Sequence, residues 1–380
     1  GILTLGGTIL GTARTPFRDM RKIGEDKVDK VGDSFRGFRD KAEENMNAVA
    51  SIVAAAGIDR AFEKVWDAMQ ACIDKSMEFE SAMTGVFKTV DMTLEQEAQL
   101  SQDIRKMAEE IPVSTTEIAG VAELAGQLGI SNDALLGFTE TMVKLGTATN
   151  LTAEDAAEAL AKIANIAGTS EENYGRLGST VVALGNNFAT TEADIVNMAT
   201  RIAATGEVVG LTEAQIFAMA TALSSVGIEA EAGGSAISKL LKEIETSVVT
   251  YDTASAAIER TGYTLRDLEL MQSNASKDFK ALADELGLTS SELGNYIDSV
   301  KNLDKYAEIS GQTAQEFKRA WGTDAVAALD LFITGLGDLD RTGGNAVETL
   351  EEMGLTEIRL SNAVLALSAS GGILTDALDV

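Results

Sequence analysis

The sequence predicts an all-α protein: a multi-helix array of short and medium helices with glycine-terminated hairpins, preceded by an N-terminal long helix or coiled-coil segment. Three observations support this fold class. One short helical pattern, with its own start and stop signals, recurs between Leu151 and Ile244. Proline occurs only at Pro16 and Pro112, so nearly the whole chain is free to be helical. Only 5% of the residues are aromatic, which favours packed small-residue helices over a β-sandwich or an aromatic-lined ligand pocket.

The N-terminal part carries a seven-residue repeat. Apolar residues recur every seven positions from Val28 to Ala56, and a second position of the same heptads is apolar except at Asn45. This spacing predicts a coiled coil or a long helix laid against another chain, with Asn45 setting the register. An ordinary amphipathic helix within its own domain is the alternative, because Gly32 and Gly37 weaken the repeat.

The helix predicted over residues 58–88 has one apolar face. Its residues are Trp66, Met69, Ile73 and Met77. Cys72, the only cysteine, lies beside this face. The chain contains no histidine that would activate a thiol, so we expect Cys72 to be a small buried hydrophobe rather than a nucleophile.

Short helices with repeated start and stop signals follow. The pairs at capping-box spacing are Thr93–Gln96, Ser114–Glu117, Thr152–Asp155, Thr191–Asp194, Thr212–Gln215, Thr289–Glu292 and Thr313–Glu316. Apolar stripes are formed by Leu135, Phe138, Met142 and Leu145; by Leu160, Ile163 and Ala167; by Ile195, Met198 and Ile202; and by Ile216, Met219, Leu223 and Val226. The glycines predicted to close helices in the left-handed conformation are Gly129, Gly168, Gly206 and Gly227.

The run Gly233-Gly234-Ser235 is predicted to interrupt a helix that otherwise reaches Ile244. Close approach of another helix or a kink explains these glycines better than a phosphate-binding loop, because no strand precedes them and no P-loop lysine follows. After Thr250 the helices become shorter and form a compact cluster. The predicted helices are Leu265–Met271, Phe279–Leu286, Leu293–Leu303 and Phe317–Trp321.

The charge is strongly acidic and unevenly distributed. Residues 1–75 contain 12 basic and 12 acidic residues, so the entire net charge of −28 comes from the rest of the chain. Such a surface repels nucleic acid, and we predict no specific nucleic-acid binding. Solubility of a helical protein is the simplest explanation of the excess acid.

Several classes of site are excluded by composition. Without histidine, the chain cannot form a Ser-His triad, a Cys-His nucleophile or a histidine-based zinc site. A single cysteine allows no intrachain disulfide, and no apolar run has the roughly 20 residues that a membrane span requires. The chain begins at Gly1 and ends within a pattern at Val380, so we expect it to be an internal piece of something longer.

The remaining carboxylates do not form a recognisable site. Asp338 begins a segment that resembles a calcium loop, but its twelfth position is Thr349 and Arg341 adds a positive charge inside it. Most other acids stand at helix starts, where they serve caps and the helix dipole. We therefore predict no catalytic, cofactor-binding or metal-binding residue.

Two blocks of sequence carry a family resemblance. The first comprises Leu177-Gly178-Ser179, Ala183-Leu184-Gly185-Asn186-Asn187-Phe188, Glu192-Ala193-Asp194-Ile195, Ala199-Thr200-Arg201-Ile202-Ala203, Gly210-Leu211-Thr212-Glu213-Ala214-Gln215 and Gly227-Ile228-Glu229-Ala230-Glu231. The second comprises Phe317-Lys318-Arg319-Ala320-Trp321-Gly322, Phe332-Ile333-Thr334-Gly335-Leu336 and Gly354-Leu355-Thr356-Glu357-Ile358-Arg359. In this order they closely resemble the core of phage tail tape-measure proteins, over roughly residues 77–380.

The resemblance implies a structural function in a phage or prophage-derived tail: occupying the lumen of the tail tube, governing tail length and assembly, and taking part in genome delivery. It implies several parallel copies, contacts with tail tube and tail tip proteins, and a tail assembly chaperone. The implied location is the virion, in the tube lumen or tip, after assembly in the host cytoplasm. Contact with the host envelope is implied only for parts outside this segment.

The expected organisation has three parts: residues 1–76, the coiled-coil-like segment; 77–250, the core of helical repeats; and 251–380, the compact helical cluster. Glycine stops imply hairpins, and a chain folded on itself is a poor ruler, so we expect a compact or partly extended module. An enzyme that degrades the cell wall during infection and a non-phage helical-repeat scaffold are the alternatives. The sequence predicts no enzymatic activity and no cofactor.

Overall fold

The computed structural model of the protein describes residues 59–274 and 276–380. The chain divides into two units, residues 1–78 and residues 79–380. The heptads predicted from Val28 to Ala56 lie outside the described residues, so the coiled coil stays a prediction. The three-part division at residues 76 and 250 also stays a prediction, and its second boundary lies within a helix.

The described part of the chain is all-α, as predicted, and contains no strand. Its helices are α1 (Asp59–Thr89), α2 (Leu94–Glu110), α3 (Thr115–Gln127), α4 (Asn132–Ala148), α5 (Ala153–Ala167), α6 (Tyr174–Asn187), α7 (Glu192–Val208), α8 (Glu213–Ser225), α9 (Ala230–Thr261), α10 (Leu265–Ser273), α11 (Lys277–Leu286), α12 (Ser290–Ile309), α13 (Ala314–Thr323), α14 (Ala325–Arg341), α15 (Ala346–Glu352), α16 (Ile358–Ala369) and α17 (Ile373–Leu378). A 3₁₀ turn, Glu171–Asn173, precedes α6. No helix in these two ranges is both long and apolar enough to cross a membrane.

Threonine and serine begin most of these helices, as the spacing predicts. Complete capping boxes form at Thr93, Thr212, Thr289 and Thr313, and a further one forms at Thr264. Thr152 and Thr191 also cap their helices, but the carboxylates of Asp155 and Asp194 accept a hydrogen bond from the threonine hydroxyl instead of the backbone. These two caps satisfy one orphan backbone donor rather than two.

The glycine stop signals are partly confirmed. Gly168 and Gly227 adopt left-handed φ angles of 67° and 79° after α5 and α8. The prediction for Gly206 is wrong, because α7 continues to Val208 and Gly210, with φ 80°, is the left-handed residue. Gly206 instead lies buried inside α7, where a Cβ would stand 3.1 Å from the Cγ1 atom of Ile216.

The apolar stripes form one main core. All four residues of the α4 stripe and all three of the α7 stripe are buried. Helix α8 is buried all round, from Ile216 to Leu223. A helix with no polar face belongs at the centre of a helical protein. Val226 stands just after α8 and is half-buried.

Helix α9 corrects the interpretation of Gly233 and Gly234. The helix runs without interruption for 32 residues, so the predicted break is wrong. The close-approach explanation is confirmed: a Cβ on Gly233 would stand 2.7 Å from Cε of Met198, and one on Gly234 would stand 2.6 Å from Cβ of Arg201. Absent side chains at these two positions let α7 pack closely against α9.

Cys72 also differs from expectation. Its side chain is exposed, so the prediction of a buried position is wrong. Neighbouring residues on a helix point roughly 100° apart, so Cys72 falls outside the face that includes Ile73. The four residues of that face are only half-buried.

A second, smaller core lies at one end of α9. It contains Ala254 and Ile258 of α9 with Leu268, Phe279, Ala283, Leu293, Ile297 and Val300. Helices α10 and α11 pack mainly on each other and on α12. Tyr251 contacts both cores, so α9 and α12 join the smaller core to the main one.

Candidate interaction surface along the central helix

Helix α9 is the element on which the two sequence blocks meet. Its N-terminal half packs against α7, which belongs to the first block, and against α16, whose first two residues are the last two of the second block. Nζ of Lys239 donates to Oε2 of Glu357 at 2.9 Å and lies 3.8 Å from Oε1 of Glu243. The hydrogen bond to Glu357 raises the pKa of Lys239 and, reciprocally, the lysine lowers the pKa of Glu357. Residues 118 positions apart are thereby joined.

Further along α9, Glu245 and Asp252 accept side-chain hydrogen bonds from α13. The indole Nε1–H of Trp321 donates to Oε2 of Glu245 at 2.7 Å, and Nζ of Lys318 donates to Oδ2 of Asp252 at 2.5 Å. The hydrogen bond from Lys318 lowers the pKa of Asp252. Both donors belong to the Phe317–Gly322 segment, so this segment holds the second block against α9.

An aromatic cluster supports these contacts. Tyr306 of α12 stacks on Phe317 with ring centroids 6.0 Å apart and meets Phe332 of α14 edge-on at 5.1 Å. Phe317 also stacks on Trp321 at 6.2 Å. The Tyr306 hydroxyl is buried without a hydrogen-bond partner in the described structure. Burial, with a smaller contribution from Glu243, raises the pKa of Tyr306, so this hydroxyl stays protonated.

The packing of α14 against α12 explains why the second block has glycine at position 335. A Cβ at this position would overlap the backbone carbonyl of Ile309 at the end of α12. Helices α12 and α14 therefore approach at backbone distance, which brings Phe332 against Tyr306.

An open groove runs along α9 and α12. One part, of about 470 Å³, is lined by polar residues that include Glu243, Glu292 and Asp298. The other part, of about 490 Å³, includes Leu286 and Leu288. Burial raises the pKa of Glu243 and of Asp298, whereas the Thr289 backbone and hydroxyl lower the pKa of Glu292. These acids are thus held in different electrostatic environments.

Within the described part of the chain, no three cysteine or acidic side chains are grouped to hold a metal ion. Asp338, the start of the calcium-like segment, lies in the last turns of α14, and its Oδ1 pairs with Nη1 of Arg341 at 2.9 Å. A smaller cavity of about 180 Å³ lies beside Asp330, whose Oδ2 accepts a hydrogen bond from Thr375 at 2.6 Å.

The contacts that α9 makes with residues distant in the sequence could not be predicted from the sequence. Trp321 stands out as one of two tryptophans, yet its partner Glu245 is 76 positions away. The α9–α12 groove is equally hidden, because its lining comes from three separate helices and a loop.

A comparison with known protein families gives a match. The sequence model of a family described as phage-related minor tail protein matches residues 101–294, just over half of the chain. No curated protein matches. The matched range begins in α2, includes the first block and the whole of α9, and ends in α12. The chain therefore belongs to the phage-related minor tail protein family and is a structural component of a phage tail.

Proposed function

We propose that this chain is the core part of a tape-measure protein, which occupies the tail-tube lumen, governs tail length and assembly, and takes part in genome delivery. The order of the two blocks supports this proposal beyond the family match. The net charge of −28 is consistent with it, because a protein that shares a tube with DNA benefits from not binding it.

The observation that carries the proposal is the way the two blocks fold together. An extended helix converts residue number into length at about 1.5 Å per residue. Here α8 is covered by α17, and Lys239 reaches Glu357, so chain length in this segment does not translate into distance. We propose that residues 79–380 act as a folded module in assembly or delivery rather than as the ruler itself.

The proposed partners follow from this role. They are further copies of the same chain in parallel, tail tube and tail tip proteins, and an assembly chaperone that shields the chain in the host cytoplasm. The proposed location in the virion is the tube lumen or tip. The proposal needs no catalytic group, and we propose that the chain is not an enzyme. Purified protein should therefore release no soluble fragments from peptidoglycan.

Tail length in two mutant phages tests the proposal. One carries an in-frame deletion of Thr191–Gly210, and the other carries Met219→Asp, which unfolds the core without changing chain length. A ruler would lose about 30 Å on deletion of the 20 residues and would keep its length in the point variant. If the segment acts as a folded module, both mutations should cause the same defect. The tails should fail to assemble or the phage should fail to infect, and the tails should not be shorter by about 30 Å.

A control deletion further distinguishes a ruler from a folded module. Removing an equal number of residues from a segment that does determine length should shorten tails in proportion. Tails shortened by about 30 Å in the Thr191–Gly210 deletion, with normal infectivity, would contradict the folded-module proposal.

A further inference from the structure

The groove between α9 and α12 combines an acidic half and an apolar half. Glu243, Glu292 and Asp298 line the first, and Leu286, Leu288 and Ala257 line the second. Tyr296 lines both, so the two halves meet at its ring. Between Glu243 and Arg260 the α9 side of the groove extends for about 26 Å, or roughly five helical turns.

The acidic half is only partly neutralised by the lysines around it. Lys239 pairs with Glu243 at 3.8 Å and also donates a hydrogen bond to Glu357 at 2.9 Å, so two carboxylates share this one cation. Lys301, beside Asp298, forms its ion pair with Glu269 at 3.0 Å. Glu292 is fixed by the cap of α12 and remains ionised, because its hydrogen bonds to Thr289 lower its pKa. This end of the groove therefore presents carboxylates that attract a cation.

The apolar half differs in charge. Asp252 at its edge is already paired with Lys318, and Arg260 is the cation at its far end. Leu286, Leu288 and Tyr296 are half-buried and leave part of their apolar surface in the groove. A simple polycation has no apolar groups to pack against this half, whereas an amphipathic helix would bury its apolar surface.

We propose that this groove is a docking site for an amphipathic helix of another protein, basic where it lies over Glu243 and Asp298 and apolar where it lies over Leu286 and Leu288. A groove between two helices accepts the side-chain ridges of a third helix. Residues 76–380 carry the whole net charge of −28, so a second copy of this unit brings like charge and is a poor occupant. Nucleic acid is excluded by the same sign of charge.

A designed peptide tests the proposal. It is a helix of about 20 residues with lysines on one face of its first half and leucines on the same face of its second half. Its binding to the full 380-residue chain is measured by fluorescence anisotropy. We expect saturable binding with a Kd below about 100 µM, weakened by raising the salt concentration.

Two variants of the protein separate groove binding from general attraction to an acidic surface. Asp298→Lys reverses a charge in the acidic half, and Thr250→Trp places a bulky ring in the same half. We expect each to weaken binding at least about tenfold, a change of 1.4 kcal/mol. Glu207→Lys makes the same charge change on an exposed turn of α7 and should alter the Kd less than about twofold.

Circular dichroism checks that each variant is folded. If one of the two groove variants does not fold, the other still tests the proposal. A peptide with glutamate in place of lysine should not bind. The proposal is overturned by absence of saturable binding up to about 1 mM, by equal binding of the glutamate peptide, or by equal weakening in Glu207→Lys. A peptide that keeps the lysines but carries serine in place of the leucines, and still binds equally well, would also overturn it, because the apolar half would then contribute nothing.

Discussion

The Nε1–H group of Trp321 donates a 2.7 Å hydrogen bond to the carboxylate of Glu245, which ties α13 to the central helix α9. Trp321 is almost completely buried, at 3% exposure. We expect Trp321→Phe to lower the free energy of unfolding by about 2–3 kcal/mol, because it removes the donor and leaves a smaller ring. Urea denaturation measures the change.

The control for this prediction is the same substitution in a Glu245→Ala background. If the hydrogen bond carries the effect, Trp321→Phe costs less there, because its partner is already absent. Equal costs in both backgrounds would show that ring packing alone is responsible.

The contact between α7 and α9 depends on Gly234. Gly234→Ala places a Cβ against Cβ of Arg201, an atom close to the backbone that cannot turn away. We expect a loss of about 1–3 kcal/mol in the free energy of unfolding. Gly137→Ala is the matched control. Gly137 is exposed in the middle of α4, and a Cβ added there would have no neighbouring atom within 4 Å. This substitution should stabilise the protein by about 0.5–1 kcal/mol.

The pH dependence of stability distinguishes Glu243 from Glu357. Burial raises the pKa of Glu243, while Lys239 lowers it and Glu357 raises it. The ionised form therefore costs stability above the folded pKa, and this cost disappears as pH falls through that pKa. Glu243→Gln should raise the free energy of unfolding at pH 7, and its advantage should shrink as the pH is lowered.

Glu357→Gln should change the free energy of unfolding at pH 7 in the opposite direction. Lys239 lowers the pKa of Glu357 below 4.5, so its ionised form contributes stability that is lost as pH falls through the lowered value. This variant should be less stable than the wild type at pH 7 and should converge with it in acid. Thermal melts at several pH values check both variants, and shifts of the same sign would contradict the assignment.

The smaller core should open separately from the main one. Helices α10 and α11 pack mainly on each other and on α12, whereas α8 is surrounded. Hydrogen exchange should therefore show lower protection for the amides of α10 and α11 than for those of α8. Equal protection throughout residues 79–380 would mean that the two cores unfold as one.

The local elements could be predicted from the sequence because their causes are local. Thr212 and Gln215 stand three positions apart and satisfy each other's backbone groups whatever surrounds them. The α4 stripe follows from helical spacing alone. Gly206 shows the limit, because either of two nearby glycines could end α7, and packing against Ile216 keeps Gly206 helical.

Other features depend on distant residues. Gly233 and Gly234 weaken a helix when taken alone, but α7 fills the space they leave and α9 continues. The partners of Trp321 and Lys239 are 76 and 118 positions away, so no short window of sequence contains either pair. The candidate surface along α9 is built from such pairs, which is why it could not be located beforehand.

The burial of α8 has a consequence for synthesis on the ribosome. Its apolar surface, from Ile216 to Leu223, is covered in part by α17, which ends at Leu378. Translation at about 5–20 residues per second leaves an interval on the order of ten seconds between the two helices. During that interval part of α8, the most apolar of the described helices, stays exposed on the nascent chain, so the aggregation risk is greatest before α17 leaves the ribosome.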